Sequence, residues 1–469
     1  MNKITGGGLL LLTLLIQACG VSTTVSLPQA AVPAHFRDKT TTDTTTIADI
    51  PWKTFFSDAT LQQLIDTALV NNYDMQFALK NMEAAQLLLR QVKWNYVPTA
   101  GLNLSAATNR PSDNSLNGIS LNQFLKTTHI EDYTAALSLS WEADIWGKIR
   151  NQRKAALARY LQSTEARKAI QTGIVSGIAQ GYYNLQMLDE QLLIARRNVA
   201  LNDSTLNMIR LQYDAGLVTS LAVEYAVAQQ LTAAALVPQM EQNIALQENA
   251  LRILTGALPD KIDRVHNWKE LDFSEDLNSG IPASLLSRRP DIRSQELNLV
   301  IASANTAISR AALYPSLRIT ASGGVNAFKA SNWFSIPASL FGTVAGGLTQ
   351  PLLQHKELKT RYKVAQTEQE QAVIRFRQSV LLAVGEVSDA LVRIEKLKDQ
   401  YTLTASRVQT LHQATGNAHL LFRNGMADYL EVITAESNAL RGELELAAIK
   451  RSEMGAVTDL YKALGGGWR

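Results

Sequence analysis

The side chains best able to hold a metal ion in this 469-residue chain are six histidines and eight methionines. The histidines share no spacing from which a ligand set can be drawn. His412 and His419 are two helical turns apart, too far to chelate one ion by themselves. The methionines do not cluster, so they indicate no copper or silver cargo. Because no phosphate-binding loop and no nucleophile with a neighbouring base can be found either, the sequence predicts neither an enzyme nor a metal or cofactor site.

The single cysteine, Cys19, stands directly after a short apolar run at residues 9–16. One cysteine cannot form a disulfide within its chain. The run is too short to cross a bilayer as a helix, but it has the length of a signal-peptide core. The segment LIQACG resembles a bacterial lipobox, in which the signal is cleaved before the cysteine and the cysteine is acylated. We therefore expect a lipidated Cys19; an ordinary secretory signal with an incidental cysteine is the alternative.

Composition limits the remaining function classes. The net charge of +3 and the pI near 8.7 are too balanced to indicate a nucleic-acid surface. Residues 21–50 are rich in Thr, Ala and Pro around TTTDTTT, which is typical of an extended tether. After the signal no segment is apolar enough for a membrane-spanning helix, so a membrane role would use strands or the lipid anchor.

The chain contains an internal repeat of about two hundred residues. The helical segment from Asp74 to Pro98 has a counterpart of equal length from Asp291 to Pro315, and each is followed by alternating residues. The turn YDAGLVTS, with Gly216, returns as FRNGMADY, with Gly425. Each half is therefore predicted to contain a helix, a strand pair, a long helix, a glycine turn and a returning helix.

The predicted strands alternate apolar and polar residues. In the first half they are TAGLNLSAATN and YTAALSLSW, separated by a polar, loop-like stretch at 109–130; in the second they lie near 317–327 and 340–350. Each has about ten residues, enough to cross a membrane when tilted. Four strands cannot close a barrel with a useful lumen, so several chains would have to share one. A soluble hairpin in each half is the alternative.

The helical pattern is unusually long. Residues 148–214 read as one helix, which would span roughly 100 Å. Part of it has the alternating spacing of three and four residues that marks a coiled-coil seam, from Leu185 to Tyr213. Gly173, Gly177 and Gly181 recur every four residues and predict close approach of a neighbouring helix.

Each glycine turn is predicted to be the tip of a helical hairpin. The chain returns as a helix over 219–255 and again over 428–463. Gly216 and Gly425 can adopt the left-handed conformation that ends a helix. Thr219 or Ser220, and Asp428, can then cap the returning helices.

Several motifs together make the chain resemble the TolC-like outer-membrane efflux factors, in their NodT/OprM-type lipoprotein branch. They are WEADIWGKIR at 141–150, SLLSRRPDIRSQE at 284–296, YPSLRITASGG at 314–324 and the terminal LGGGW. The resemblance implies a mainly α protein with membrane β-strands: a homotrimer with a 12-stranded β-barrel continuous with a long periplasmic α-barrel. It further implies a passive exit duct of a tripartite efflux system, with a periplasmic adaptor and an inner-membrane RND-type pump as partners.

The resemblance also assigns residues. Cys19 would anchor the chain in the outer membrane. The adaptor would contact the tips at Gly216, Leu217, Val218, Thr219, Ser220, Gly425, Met426, Ala427 and Asp428. Gate candidates beside the second tip are Phe422, Arg423 and Glu431. The pattern departs from the family at Thr434, where a second acid is expected, and at Ala427, where some members have arginine. For these positions a solvated helix face or a simple cap is the alternative.

The expected organisation follows the repeat. The predicted segments are 1–18 signal peptide, 19–50 lipid anchor and tether, 51–98 first-repeat helices, 99–146 first β-hairpin, 147–258 first long helical hairpin, 259–283 connector, 284–315 second-repeat helix, 316–351 second β-hairpin, and 352–469 second long helical hairpin with the C-terminus. The rival function is a periplasmic coiled-coil structural lipoprotein or adaptor without a pore. The sequence leaves the cargo open.

Overall fold

The computed structural model describes residues 33, 36, 45–266, 268 and 279–469. Cys19, the signal peptide and most of the tether lie outside the described residues. The longer helices and the strands are α1 (Ala59–Asn71), α2 (Tyr73–Lys93), β1 (Thr99–Asn109), α3 (Leu116–Leu125), β2 (Ile130–Glu142), α4 (Lys148–Asp214), α5 (Ser220–Leu254), α6 (Pro290–Ala311), β3 (Ser316–Ala327), β4 (Leu340–Thr349), α7 (Glu357–Arg423) and α8 (Tyr429–Ala463). Short helical turns lie at Ile47–Asp49, Trp52–Phe55, Trp94–Tyr96, Pro282–Ser284, Leu285–Arg288 and Ala330–Asn332.

The two long helical hairpins repeat the same design. Helices α4 and α7 both have 67 residues, and the returning helices α5 and α8 both have 35. The interval from Gly216 to Gly425 equals that from Gly256 to Gly465, and all four glycines have positive φ angles of 72°, 71°, 73° and 91°. The duplication and the long helix predicted over 148–214 are therefore confirmed.

A Schellman motif ends each of these four helices, which explains the glycines. At the first tip Gly216 N–H donates to Tyr213 O (2.8 Å) and Leu217 N–H to Gln212 O (2.8 Å). At the second, Gly425 N–H donates to Phe422 O (3.1 Å), and the following amide to Leu421 O (2.9 Å). These bonds satisfy carbonyls that the helix end leaves free, and glycine adopts the required left-handed conformation without a steric penalty.

The residues divide into two compact units. One contains 83–161 and 297–374, with the strands and a small core of Ala158, Leu297 and Ile301. The other contains the described residues within 29–82, 162–296 and 375–469, and it holds the larger core, in which Tyr182, Leu251 and Tyr461 are almost fully buried.

The motifs that carry the family resemblance have local structural roles. In WEADIWGKIR, Asp144 accepts hydrogen bonds from the first-turn amides of α4, Ile149 N–H (2.8 Å) and Arg150 N–H (2.9 Å). In RRPDI, the buried Arg289 donates to Asp291 (2.6 Å), Glu386 (2.6 Å) and the carbonyl of Ala463 (3.1 Å). The first motif therefore starts a long helix, and the second ties the beginning of α6 to α7 and the end of α8.

One sequence-based expectation is wrong, and a second is confirmed at one of its three positions. The stretch between β1 and β2 was expected to be a loop, but it contains α3, which begins where the Ser115 hydroxyl caps Gly118 N–H at 3.1 Å. Of the three spaced glycines only Gly181 lies against a neighbouring helix, where an added Cβ would be 2.7 Å from Leu251. At Gly173 and Gly177 an added Cβ would meet no atom of the described chain within 4 Å.

Candidate functional site: a two-faced sheet and paired helical turns

The strands form an antiparallel sheet in the order β1-β2-β3-β4 within the described residues. Its register places Leu102 opposite Leu137, and Leu137 opposite Gly323. Because side chains alternate between faces, every second residue of each strand shares a face with this row. β1 and β4 are the edge strands, so each presents a row of backbone groups that the sheet itself does not pair.

The two faces of this sheet differ sharply in polarity. Over most of its length one face consists of apolar residues and glycine, apart from the hydroxyl of Tyr133: Ala100, Leu102, Leu104, Ala106, Tyr133, Ala135, Leu137, Leu139, Trp141, Leu317, Ile319, Ala321, Gly323, Val325, Ala327, Leu340, Gly342, Val344, Gly346 and Leu348. Thr108 and Glu131, which pair with each other near the end of β1 and the start of β2, are polar residues on the same face. The opposite face is mainly polar or small, with residues such as Asn103, Ser138, Asp132, Thr320 and Asn326. An apolar face on a four-stranded sheet, largely exposed at Leu102 (71%) and Val344 (81%), is typical of a surface that contacts lipid or another protein chain.

The polar face carries its own hydrogen bonds. The Asn326 side-chain amide donates to Asp132 (2.5 Å) and Thr134 (2.8 Å). Glu142, near the other end of β2, accepts from Lys148 (2.9 Å) and lies 3.9 Å from Arg318. Cross-strand polar pairs of this kind are stable facing water, where unused donors and acceptors can be solvated.

The two glycine turns lie beside each other in the second unit and share a small core, the tip cluster. Its buried members are Leu206, Ile209, Ala222, Ala226, Phe422 and Val432. These come from α4, α5, α7 and α8, so all four long helices contribute to it. The residue after the glycine in a Schellman motif usually packs on its own helix, yet Leu217 is 74% exposed and Met426 is 69% exposed. Each turn therefore presents an apolar side chain outward.

The structure separates the predicted gate residues. Phe422 is 3% exposed and belongs to the tip cluster, so its ring is buried within one chain. Arg423 and Glu431 are exposed, and the Glu431 N–H donates to Asp428 O (3.1 Å) in the first turn of α8. The Asp428 side chain accepts from Tyr429 N–H at 2.6 Å. Thr219 occupies the equivalent cap position, although its side chain makes no capping hydrogen bond within the described residues.

A charged site that the sequence did not single out lies next to the tip cluster. Glu436 is fully buried; the Thr205 hydroxyl donates to its Oε1 at 2.6 Å, and His419 Nε2 is 2.9 Å from the same oxygen. Burial raises the pKa of Glu436, although the hydrogen bond from Thr205 and the charge of His419 act in the opposite direction. Across 45–266 and 279–469, no three His, Cys, Asp or Glu side chains come together as a metal site.

The model of the outer membrane efflux protein family matches residues 64–257 and 281–466. The chain belongs to the outer membrane efflux protein family. Family members are transporters of the outer membrane rather than enzymes.

Individual relatives cover nearly the whole efflux protein. It is 29% identical over 452 residues to the probable outer membrane lipoprotein SilC of Salmonella typhimurium, covering 94% of each chain. It is 28% identical to the toluene efflux pump outer membrane protein TtgF of Pseudomonas putida, covering 90% of this chain and 86% of the relative. Among solved structures, a crystal structure of CusC superposes with a TM-score of 0.84 at 26% identity, covering 95% and 99% of the two chains.

No helix in the described ranges combines the length and the apolar character needed to cross a membrane.

Proposed function

We propose that three copies of this efflux protein join their sheets into one 12-stranded barrel in the outer membrane and act as the exit duct of a tripartite pump. The two-faced sheet with open edges carries this proposal. An apolar face suits lipid, and a polar face suits a water-filled lumen. In lipid each unpaired backbone group costs several kcal/mol, so β4 of one copy would pair with β1 of the next until no edge remains.

The number of copies follows from the width of the lumen. Eight strands, from two copies, enclose an interior that side chains fill, whereas a wider barrel leaves an aqueous channel. Twelve strands from three copies also agree with the trimer that the family resemblance implies. The long helices of three copies would form the periplasmic α-barrel, and Cys19 would carry acyl chains in the membrane. In each copy of this trimer we assign the signal, tether, β-hairpins and helical hairpins the bounds predicted from the sequence.

A periplasmic adaptor is the partner proposed for the two turns, and an inner-membrane RND-type pump supplies the energy. The exposed Leu217 and Met426 occupy equivalent positions after the two glycines, which gives the adaptor a repeated apolar contact in each copy. Relatives of this protein are named for toluene and for cations, so small molecules or ions are the proposed cargo class.

The proposed gate uses the exposed charges beside the second turn. Three Glu431 carboxylates around one narrow lumen would repel one another and favour cations. Exposed Arg423 is the nearby charge of opposite sign. Phe422 would stabilise the turn from inside instead of lining the lumen.

Conductance of the purified protein in planar bilayers tests the duct and its gate together. The wild-type protein should form pores, and Glu431→Gln should raise the resting conductance or reduce the preference for cations. Glu224→Gln is the matched control, because Glu224 is an exposed acid near the start of the other returning helix. Absence of pores would contradict the duct and support a coiled-coil structural lipoprotein. Pores with unchanged currents and selectivity in Glu431→Gln would contradict this gate alone.

A further inference from the structure

Glu436 is enclosed by three helices. It lies on α8, Thr205 on α4 and His419 on α7, and all three residues belong to the same compact unit. The exposed fractions are 0% for Glu436 and 2% for Thr205, and the His419 side chain is 16% exposed. Glu436 Oε2 is buried and has no hydrogen-bond partner among the described residues. An ionised carboxylate with one oxygen left unsolvated is costly, whereas its protonated form is much less so.

His419 is the titratable side chain that faces Glu436. The other charged side chains between Asp203 and the end of α4, at the start of α5, at the end of α7 and in α8 as far as Arg441 are exposed: Asp203, Arg210, Asp214, Glu224, Arg423, Glu431 and Arg441. Two turns further along α8, Glu443 forms ion pairs with Arg197 (2.7 Å) and His412 (2.7 Å). Glu436 has no guanidinium of this kind to balance its charge within the described residues, which distinguishes it from Glu443.

The internal repeat shows that packing of a returning helix does not require an acid at the equivalent position of the first hairpin. Counting back by the interval between Gly425 and Gly216, the counterpart of Glu436 is Val227. Val227 is partly buried against the tip cluster and fills the corresponding place on α5. An apolar side chain is therefore sufficient for the hairpin, and replacing a buried charge by one is often neutral or stabilising. The buried carboxyl of Glu436 is a feature that the fold itself does not demand.

We propose that Glu436, Thr205 and His419 form a proton-linked latch that holds α8 against α4 and α7 behind the second turn, closed when Glu436 is protonated and loosened when it ionises. The proposal deepens the proposed function, because it rests on movement of these helices as the duct opens. Its role is to make that movement depend on periplasmic pH.

The sign follows from linkage. In the closed packing the pKa of Glu436 is raised, mainly by burial, and in an opened helix the carboxyl meets water and regains an ordinary pKa near 4.3. The closed packing therefore binds the proton more tightly. Its stabilisation is fully present below the ordinary pKa and is lost as the pH rises through the raised pKa. Because one proton is involved, the equilibrium constant for opening of α8, the opening constant, changes by at most about tenfold per pH unit between the ordinary and the raised pKa of Glu436.

Hydrogen exchange of the full-length protein in detergent tests the latch. The probe is the set of amides in residues 429–440, followed by mass spectrometry at a series of pH values and corrected for the chemical exchange rate. In the wild-type protein the opening constant should rise with pH between the ordinary and the raised pKa of Glu436 and stay constant above the raised pKa. In Glu436→Gln, which cannot ionise, the opening constant should not vary with pH. Glu443→Gln, which removes a paired acid from the same helix, should keep the wild-type dependence.

Further variants keep the test decisive if Glu436→Gln fails to assemble. Glu436→Val copies the first repeat and should also be flat. Thr205→Val and His419→Gln each remove a group that lowers the pKa of Glu436, so the opening constant should continue to rise up to a higher pH than in the wild-type protein. A flat wild-type profile, or a slope that persists in both Glu436 variants, would overturn the latch. Bilayer conductance of the same samples separates this failure from failure of the duct, because pores without the pH dependence would leave the duct intact.

Discussion

Arginine placed on each face of the sheet in turn gives a strong test of the membrane assignment. Leu137 and Ser138 are neighbours in the middle of β2 and point to opposite faces. Leu137 belongs to the apolar face, opposite Leu102 on β1. Ser138 belongs to the polar face, and its hydroxyl donates to the carbonyl of Gly101 at 3.1 Å. In the proposed barrel the two side chains therefore lie at nearly the same depth in the membrane, but one faces lipid and the other faces the lumen.

Leu137→Arg should be much more damaging than Ser138→Arg. An arginine on the lipid face near the middle of the bilayer costs about 2–4 kcal/mol, whereas one facing the lumen remains solvated. Three copies share the proposed barrel, so the assembled particle would carry the lipid-face cost three times. Ser138→Arg loses one neutral hydrogen bond, worth about 1 kcal/mol.

The assay is assembly in the outer membrane, read from membrane fractionation and from the urea concentration at which purified oligomers dissociate. We expect Leu137→Arg to be depleted from the outer membrane and Ser138→Arg to be close to the wild-type protein. If Ser138→Arg were as damaging as Leu137→Arg, or more so, the assignment of the apolar face to lipid would be refuted.

Two further predictions concern the helical hairpins. Gly216→Ala and Gly256→Ala place alanine at φ angles of 72° and 73°, which costs about 1–2 kcal/mol each, but only the second also brings a Cβ within 2.4 Å of Asn71 O. The thermal midpoint should therefore fall further for Gly256→Ala, and equal midpoints would contradict this reasoning. Arg289→Met removes charge-assisted hydrogen bonds and should lower the free energy of unfolding by about 2–3 kcal/mol. Burial raises the pKa of Asp291, but the hydrogen bond and the charge of Arg289 outweigh burial and leave that pKa lowered. The difference in free energy of unfolding between the wild-type protein and Arg289→Met, measured in urea, should therefore shrink as the pH falls below about 4. A difference that stays constant with pH would argue against this ion pair.

Much of the fold could be predicted because local signals and the repeat agree. Glycine after an aromatic at the end of a helical pattern marks a left-handed helix end, and it does so twice at the same interval. The alternation of apolar and polar residues in TAGLNLSAATN predicts a strand, and β1 spans these residues. By contrast α3 was missed, because its residues show no clear amphipathic period and the polar residues around it read as a loop.

The candidate site was harder to predict than the fold, because burial depends on contacts between distant helices. Phe422 and Glu431 lie close together in sequence, yet one is inside the tip cluster and the other is exposed. The buried contact between Glu436 and Thr205 joins residues 231 positions apart. A signal for it existed in the sequence: aligning the two repeats sets Glu436 against Val227, and a charge opposite an apolar residue marks a position where the repeats differ in function or environment.

The proposed trimeric duct is best tested by the mass and shape of the protein extracted from membranes in mild detergent, determined by mass measurement and electron microscopy together. We expect three copies in a hollow, three-fold symmetric particle, with a detergent belt around one part and a rod of roughly 100 Å extending from it. A monomer, or a solid rod that leaves the membrane without detergent once Cys19 is replaced, would contradict it, because the strands would then not form a shared barrel.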